Sequence, residues 1–229
     1  NLLGATPESD RADFARLWQA LCPDELKIYP TQLLEGTELY EHWQRGAYQP
    51  YSTAELVELI ADLKPDIPPY CRVNRVIRDI PSTHVVAGNK RTSLRQDVLA
   101  ELERRGKQCG CIRCHEVKGT AVDAAALRLE VFPYPAGAAG ERFIHFRTAE
   151  EQIAGYLRLS LPGADSPHLG LGELAGAALI REVHVYGQAV SLGDEQPGAA
   201  QHSGLGARLI EAAAEQARAA GYRRMGVIA

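Results

Sequence analysis

Methionine, tryptophan and phenylalanine are scarce. The 229-residue chain has 1 Met, 2 Trp and 4 Phe, and aromatic residues make up only 7% of it, so its cores must be built mainly from aliphatic side chains. No apolar run approaches the roughly 20 residues that span a bilayer, and no segment has the charged start and apolar stretch of a secretory leader. The expected location is therefore the cytoplasm, without a membrane. There is no HExxH and no Ser/His/Asp arrangement, which removes the common metalloprotease and serine-hydrolase readings. The cysteines number 5, an odd count. In a chain without a secretory signal, clustered thiols are read as ligands or reactive groups and not as disulfides. No methionine opens the chain at Asn1, so it reads as a piece of something longer or as a processed product.

What is present describes a globular protein: 45% hydrophobic, 24% charged, net charge −4. The length suits one large domain or two ordinary ones. Residues 1–71 hold 5 Lys/Arg against 12 Asp/Glu, residues 72–118 hold 11 against 5, and residues 119–229 hold 9 against 12. A basic middle thus lies between acidic flanks. A solvated charged face is the ordinary account of such a run, and a polyanion partner is the functional one. The strip comprises Arg72, Arg75 and Arg78, then Lys90, Arg91 and Arg95. The last three surround a helix start, where backbone N–H groups also favour phosphate.

In the first region helices and strands alternate. Thr6-Pro7 predicts a helix start with Phe14, Leu17, Trp18 and Leu21 as its buried stripe. Leu26–Tyr29 reads as a short buried strand. Thr37 predicts the cap of a helix stopped by Gly46, and Ser52 with Glu55 a capping box before Leu56, Leu59, Ile60 and Leu63. Arg72–Ile77 reads as a half-buried strand. Ser93 with Gln96 predicts a second capping box before Leu94, Val98 and Leu102, with Gly106 as the stop. From about Lys118 the texture changes to four strand-like segments, Leu127–Phe132, Arg142–Phe146, Ile153–Leu161 and Ala177–Tyr186. A long amphipathic helix to Ala220 and a last strand from Arg223 follow. The fold class expected is α/β followed by a separate α+β domain.

Two motifs carry chemistry. Gln201-His-Ser-Gly204-Leu-Gly206-Ala207 follows a long strand and opens a long helix. A glycine-rich turn there leaves backbone N–H groups aimed outward with the helix dipole behind them, a site for a diphosphate. Cys109, Cys111 and Cys114 lie within six residues, close enough for three thiolates to reach one metal ion. His84 is the preferred fourth ligand and Cys71 the alternative, since His115 adjoins Cys114 awkwardly. Iron–sulfur ligation fits the spacing poorly. His42, His145 and His168 have no sequence partner and read as core or surface residues. His184 and Tyr186 draw interest from the strand they occupy.

The Gln-x-x-Gly-x-Gly loop between strand and helix resembles the signature of the GNAT acetyltransferases. Taken with Leu26-Lys-Ile-Tyr-Pro-Thr31, Glu35-Gly-Thr-Glu-Leu-Tyr40, Arg75-Val-Ile-Arg-Asp-Ile-Pro81, Cys109-Gly-Cys-Ile-Arg-Cys-His-Glu-Val117 and Arg181-Glu-Val-His-Val-Tyr-Gly187, it resembles one family over nearly the whole chain. That family is the catalytic subunit of Elongator, here in a bacterial or archaeal form. The resemblance implies carboxymethylation at C5 of the wobble uridine of tRNA, with acetyl-CoA bound in a GNAT domain and a radical generated from S-adenosylmethionine at a [4Fe-4S] cluster. Residues 1–80 would be the C-terminal part of a radical-SAM barrel, 81–118 a zinc-binding junction, and 119–229 an incomplete GNAT domain. Acetyl-CoA contacts map onto Glu182, Val183, His184 and Val185 on the strand, and onto Gln201, Gly204, Leu205, Gly206 and Ala207 on the loop. The basic strip would belong to the surface for the tRNA anticodon region. The family's cluster-binding cysteines and its closing GNAT segment, with a tyrosine near the cofactor sulfur, fall outside this sequence, so the fragment is not expected to catalyse the full reaction. Lysine acetylation of histone-type proteins is the competing reading, and homo-oligomer formation is left open.

Overall fold

Short polar side chains fix three helix starts in the first half of the chain. Thr6 and Ser52 each close a capping box, Thr6 with Ser9 and Ser52 with Glu55, and Thr37 accepts from the Tyr40 amide. Each satisfies N–H groups that a helix terminus leaves without a partner. The computed structural model describes residues 1–119, 122–166, 170–186 and 204–227. The chain divides into two units, Asn1–Cys114 and His115–Ala229.

The first unit contains α1 (Pro7–Arg16), β1 (Glu25–Lys27), β2 (Gln32–Leu34), α2 (Glu38–Gln44), α3 (Thr53–Leu63), β3 (Arg72–Arg75), β4 (Val85–Gly88) and α4 (Leu94–Arg104). β1 pairs with β3 in parallel and β2 with β4 antiparallel. α3 and α4 supply the apolar centre through Leu56, Leu59, Ile60, Val98 and Leu102, all buried. Asp62 ties three helices together, accepting from Arg11 Nη2 at 2.7 Å and from Arg105 Nη1 at 2.7 Å. The bond from Arg11, chiefly, holds the Asp62 carboxyl below its ordinary value.

The second unit is an antiparallel meander joined to a helical crossover. β5 (Arg128–Ala136), β6 (Ala139–Arg147), β7 (Ile153–Pro162), β8 (Ala178–Val185) and β9 (Met225–Val227) lie in sequence order in one sheet. The last pair is parallel, connected through α6 (Leu205–Ala219). Nine consecutive residues of β7, Ile153–Leu161, are buried, as a central strand covered on both faces requires. α6 buries Leu205, Leu209, Ala212, Ala213 and Ala217. Arg208 lies over the Phe146 ring at 4.4 Å, which puts the helix on the Phe146 face. The edge strand β5 carries Pro133 and Pro135, two residues apart, so both missing N–H donors belong to one side of it.

Several local expectations differ from what forms. The Phe14–Leu21 stripe does not continue one α-helix. α1 ends at Arg16, a π-helical turn spans Leu17–Leu21, and Leu21 is exposed. β1 is largely exposed and not a buried strand. Ser93 makes no cap bond to the backbone of α4: at φ −88 and ψ 10 it lacks the extended backbone of the other caps, and its hydroxyl donates to Asp97 at 3.3 Å. No helix among the described residues is long and apolar enough to cross a membrane. Leu209→Ala removes the fully buried contact of α6 with the sheet. It should cost about 2–5 kcal/mol, read as a lower urea midpoint with the far-UV spectrum kept.

Candidate functional site

Gly110 determines how the thiol segment is seated. A Cβ built there would overlap the Ile67 carbonyl oxygen and lie 4.0 Å from the Pro65 carbonyl oxygen. Glycine therefore lets the segment rest directly on the 3₁₀ turn Lys64–Asp66 and the residue after it. The Ile112 amide donates to the Cys71 carbonyl at 2.9 Å, and the Cys114 amide to the Cys111 carbonyl at 3.0 Å, opening the short helix α5 (Ile112–His115). The sulfurs of Cys109, Cys111 and Cys114 then all lie within 4.8 Å of one another. Around one zinc ion at the usual Zn–S length the separation would be roughly 3.8 Å, a small contraction away.

These thiols do not titrate independently. Cys111 is driven toward the thiolate by hydrogen bonds from Cys109 first and Cys114 second, with the Lys64 charge and the Val73 amide assisting against burial. Cys109 moves up, chiefly because it donates to Cys111. Cys114 also moves up. Its bond with Cys109 lowers it, but its bond with Cys111 and its burial prevail. Cys111 is thus the sulfur drawn furthest toward the thiolate, and the three together form a donor set with the chemistry of a soft metal site. His84 sits on the exposed turn Ser82–His84, outside this group, and the Cys71 sulfur, though fully buried, is outside it as well.

The basic residues share the first unit but differ in what they do. Arg95 donates to the Val73 carbonyl at 2.8 Å and Arg72 to Asn74 Oδ1 at 3.0 Å. Arg75 pairs with Asp79 at 2.6 Å and Arg91 with Asp97 at 3.1 Å. Arg78 and Lys90 are exposed. Buried Asn89 donates to the Arg91 carbonyl at 3.0 Å and accepts from Thr53 at 3.1 Å, which fixes the path of the Lys90–Arg91 turn.

In the second unit, Glu182 on β8 is the anionic end of a stacked network. It accepts from Tyr156 Oη at 2.6 Å and from Arg158 Nε at 2.8 Å. Register makes this possible, since β7 and β8 align Arg158 with Glu182 and Tyr156 with His184. The Arg158 guanidinium lies over the Tyr156 ring at 5.3 Å and the Phe143 ring at 5.6 Å. His184 stacks on Tyr156 at 5.7 Å and meets Tyr186 at 4.4 Å. Burial, then Glu182, push the Tyr156 phenol above its ordinary value. His145 on the same face is held neutral, its pKa lowered to about 4 by burial first and Arg147 next. Val183 and His184 are exposed, Val185 half-buried.

Sequence reasoning singled out Glu182 but missed Arg158 and Tyr156. The available signal was a charged residue inside the apolar run of β7, which a strand buried on both faces tolerates only with a partner. Lys64 was missed as well.

β8 is bonded along its length to β7, but β9 meets it only at Ala178–Ile180. Arg181–Val185 have no second strand neighbour among the described residues. α6 begins at Gly204, which has φ +69 and no side-chain cap. A Cβ at Gly206 would meet nothing within 4 Å. The amides of Leu205, Gly206 and Ala207 therefore form the open first turn of a 15-residue helix. Gln201 and His168 lie outside the described residues.

Residues 23–104 match the Radical_SAM C-terminal domain family, which accounts for the helix–strand order of the first unit. Across almost the whole chain the similarity is more particular. A protein named tRNA uridine(34) acetyltransferase from Dehalococcoides mccartyi is 43% identical over 216 residues, covering 91% of this chain and 46% of the relative. Elongator complex protein 3 of Homo sapiens is 36% identical over 218 residues, covering 92% and 40%. The solved structure of archaeal Methanocaldococcus infernus Elp3 with residues 1–46 deleted is 32% identical. It superposes with a TM-score of 0.85 and covers 99% of this chain and 55% of that one. The chain belongs to the family of the Elongator catalytic subunit, and it spans less than half the length of these curated relatives.

Glu182→Gln would leave the Arg158 guanidinium, 1% exposed, without its anion. Because Glu182 keeps some solvent contact, the cost should fall at about 2–4 kcal/mol. Arg158→Met/Glu182→Gln together should cost less than Glu182→Gln alone, checked by a double-mutant cycle in urea.

Proposed function

We propose that this chain is the tRNA- and acetyl-CoA-handling segment of an enzyme that modifies the wobble uridine of tRNA by carboxymethylation at C5. The observation that carries the reading is the joint similarity, over more than nine-tenths of the chain, to proteins named for uridine-34 acetyl transfer and for Elongator. Residues 1–80 are read as the C-terminal part of a radical-SAM barrel, 81–118 as a zinc-binding junction, and 119–229 as a GNAT domain. By the same resemblance, S-adenosylmethionine and the [4Fe-4S] cluster are assigned to parts of the enzyme outside these residues.

Acetyl-CoA fits the second unit. The positive-φ residue Gly204 turns the chain into α6, whose first-turn amides at Leu205, Gly206 and Ala207 would receive the diphosphate. The backbone of Glu182–Val185, bonded to β7 and open on its other side among the described residues, would hold the pantetheine arm as an added strand does. The Glu182–Arg158–Tyr156 network fixes the side-chain face of that strand, so the open edge keeps one register. Bound there, acetyl-CoA supplies the acetyl group, and this chain orients it.

The exposed Arg75, Arg78, Lys90 and Arg91 are the residues assigned to the tRNA backbone, with Arg72 and Arg95 holding the strand and helix that present them. Their pairing with Asp79 and Asp97 is exposed and weak, so phosphates can displace the carboxylates. The basic strip also weighs against a lysine-rich protein as substrate, which would require an acidic groove.

In the intact enzyme, tRNA should stimulate acetyl-CoA hydrolysis. Binding of tRNA should weaken by about tenfold or more between 50 and 200 mM salt, with the slope reduced by roughly one for each of Arg78→Ala and Lys90→Ala. A rate indifferent to tRNA would count against the assignment. Metal analysis of the purified chain should return about one zinc per chain, lost in Cys111→Ser. The same assay on His84→Ala tests that residue as fourth ligand, and unchanged zinc would remove it from the set.

A further inference from the structure

Lys64 is the most anomalous residue of the first unit. It ends α3 and begins the 3₁₀ turn Lys64–Asp66, yet it is 0% exposed, and its Nζ has no hydrogen-bond partner among the described residues. A buried ammonium without an answering group costs several kcal/mol and is rare unless some state of the protein supplies the anion. The turn that carries it is the one on which Gly110 rests, between Cys109 and Cys111. Its positive charge acts on all three sulfurs of the cluster.

From this geometry we infer that Lys64 is the resident counter-ion of the metal centre: its buried ammonium neutralises the charge that three thiolates place on a divalent ion. One such ion with three thiolates and a neutral fourth ligand carries a single excess negative charge. Zinc entry releases the thiol protons to solvent and leaves that charge inside the unit, away from water. Lys64 then passes from an ammonium with no hydrogen-bond partner to one facing a fixed anion. Loaded, the site and Lys64 stabilise each other. Metal-free, Lys64 lacks that fixed anion. The inference rests on the metal reading given above and adds to it a residue that is not a ligand.

The test uses the full chain, zinc-loaded and after chelation, with zinc affinity read by competition with a chromophoric chelator and stability by thermal unfolding. Lys64→Met should lower zinc affinity by about 10–100-fold, the range of outer-shell partners. It should at the same time leave the metal-free chain as stable as before, or more so. Lys64→Arg keeps the charge and should hold affinity within about threefold. In a Cys114→His background, which removes one thiolate charge, Lys64→Met should cost less than about threefold. A role in packing alone predicts a different pattern: equal losses in both backgrounds and equal destabilisation with and without zinc. Either result overturns the inference. If Lys64→Met does not fold, Lys64→Gln against Lys64→Arg decides in the same way, and equal affinities overturn it. Wild-type chain without stoichiometric zinc would instead overturn the metal reading itself, and with it this role.

Discussion

A cation taken out of water must be answered by an anion, and both units of this protein are organised around that requirement. In the second, Arg158 sits at the middle of the central strand, and the sheet register is the one that brings Glu182 across from it. Sliding β8 by one residue would turn Glu182 to the opposite face and strand the guanidinium. The charge pair thus works as a register lock as much as a source of stability, which suits a strand whose backbone is read as a ligand-binding edge. In the first unit, Lys64 imposes the same requirement at the turn beneath the thiols.

Much of the architecture was legible in the chain because its signals are local. Thr6-Pro7, Ser52 with Glu55, and the glycines at 46 and 106 act within one helical turn, and each starts or stops a helix where expected. The four strand-like segments of the second half needed only alternation and turn chemistry. What was not legible depends on competing side-chain bonds, on how a turn winds and on partners far away in sequence. Ser93 takes a turn-like backbone in place of the extended one a cap needs, and its hydroxyl goes to Asp97. The Leu17–Leu21 turn winds wider than an α-helix, and Leu21 ends in solvent although its spacing fits a buried stripe. Lys64-Pro65 reads as an ordinary surface turn until the seat of Gly110 is known.

The candidate sites divide along the same line. The three thiols are five residues apart at most, so their meeting required only a tight turn, and the structure brings them together. A fourth ligand can come from anywhere in the chain, and spacing alone offered His84, which the fold puts on an exposed turn. Glu182 was legible from the strand it occupies. Its role as acceptor for both Tyr156 and Arg158 is a property of cross-strand pairing, 24 to 26 residues away.

The two prolines of β5 have a consequence for how chains of this protein meet one another. A sheet edge with free amides is a template for another strand, and exposed Leu129, Val131 and Phe132 would make this one adhesive. Pro133 and Pro135 withhold the donors that a second chain would need along the hairpin end of that edge. The N-terminal end of the same strand carries Arg128 and Glu130, charges that an incoming apolar strand would have to bury. Edge-to-edge polymerisation is thereby obstructed at β5 by missing donors at one end and by charge at the other.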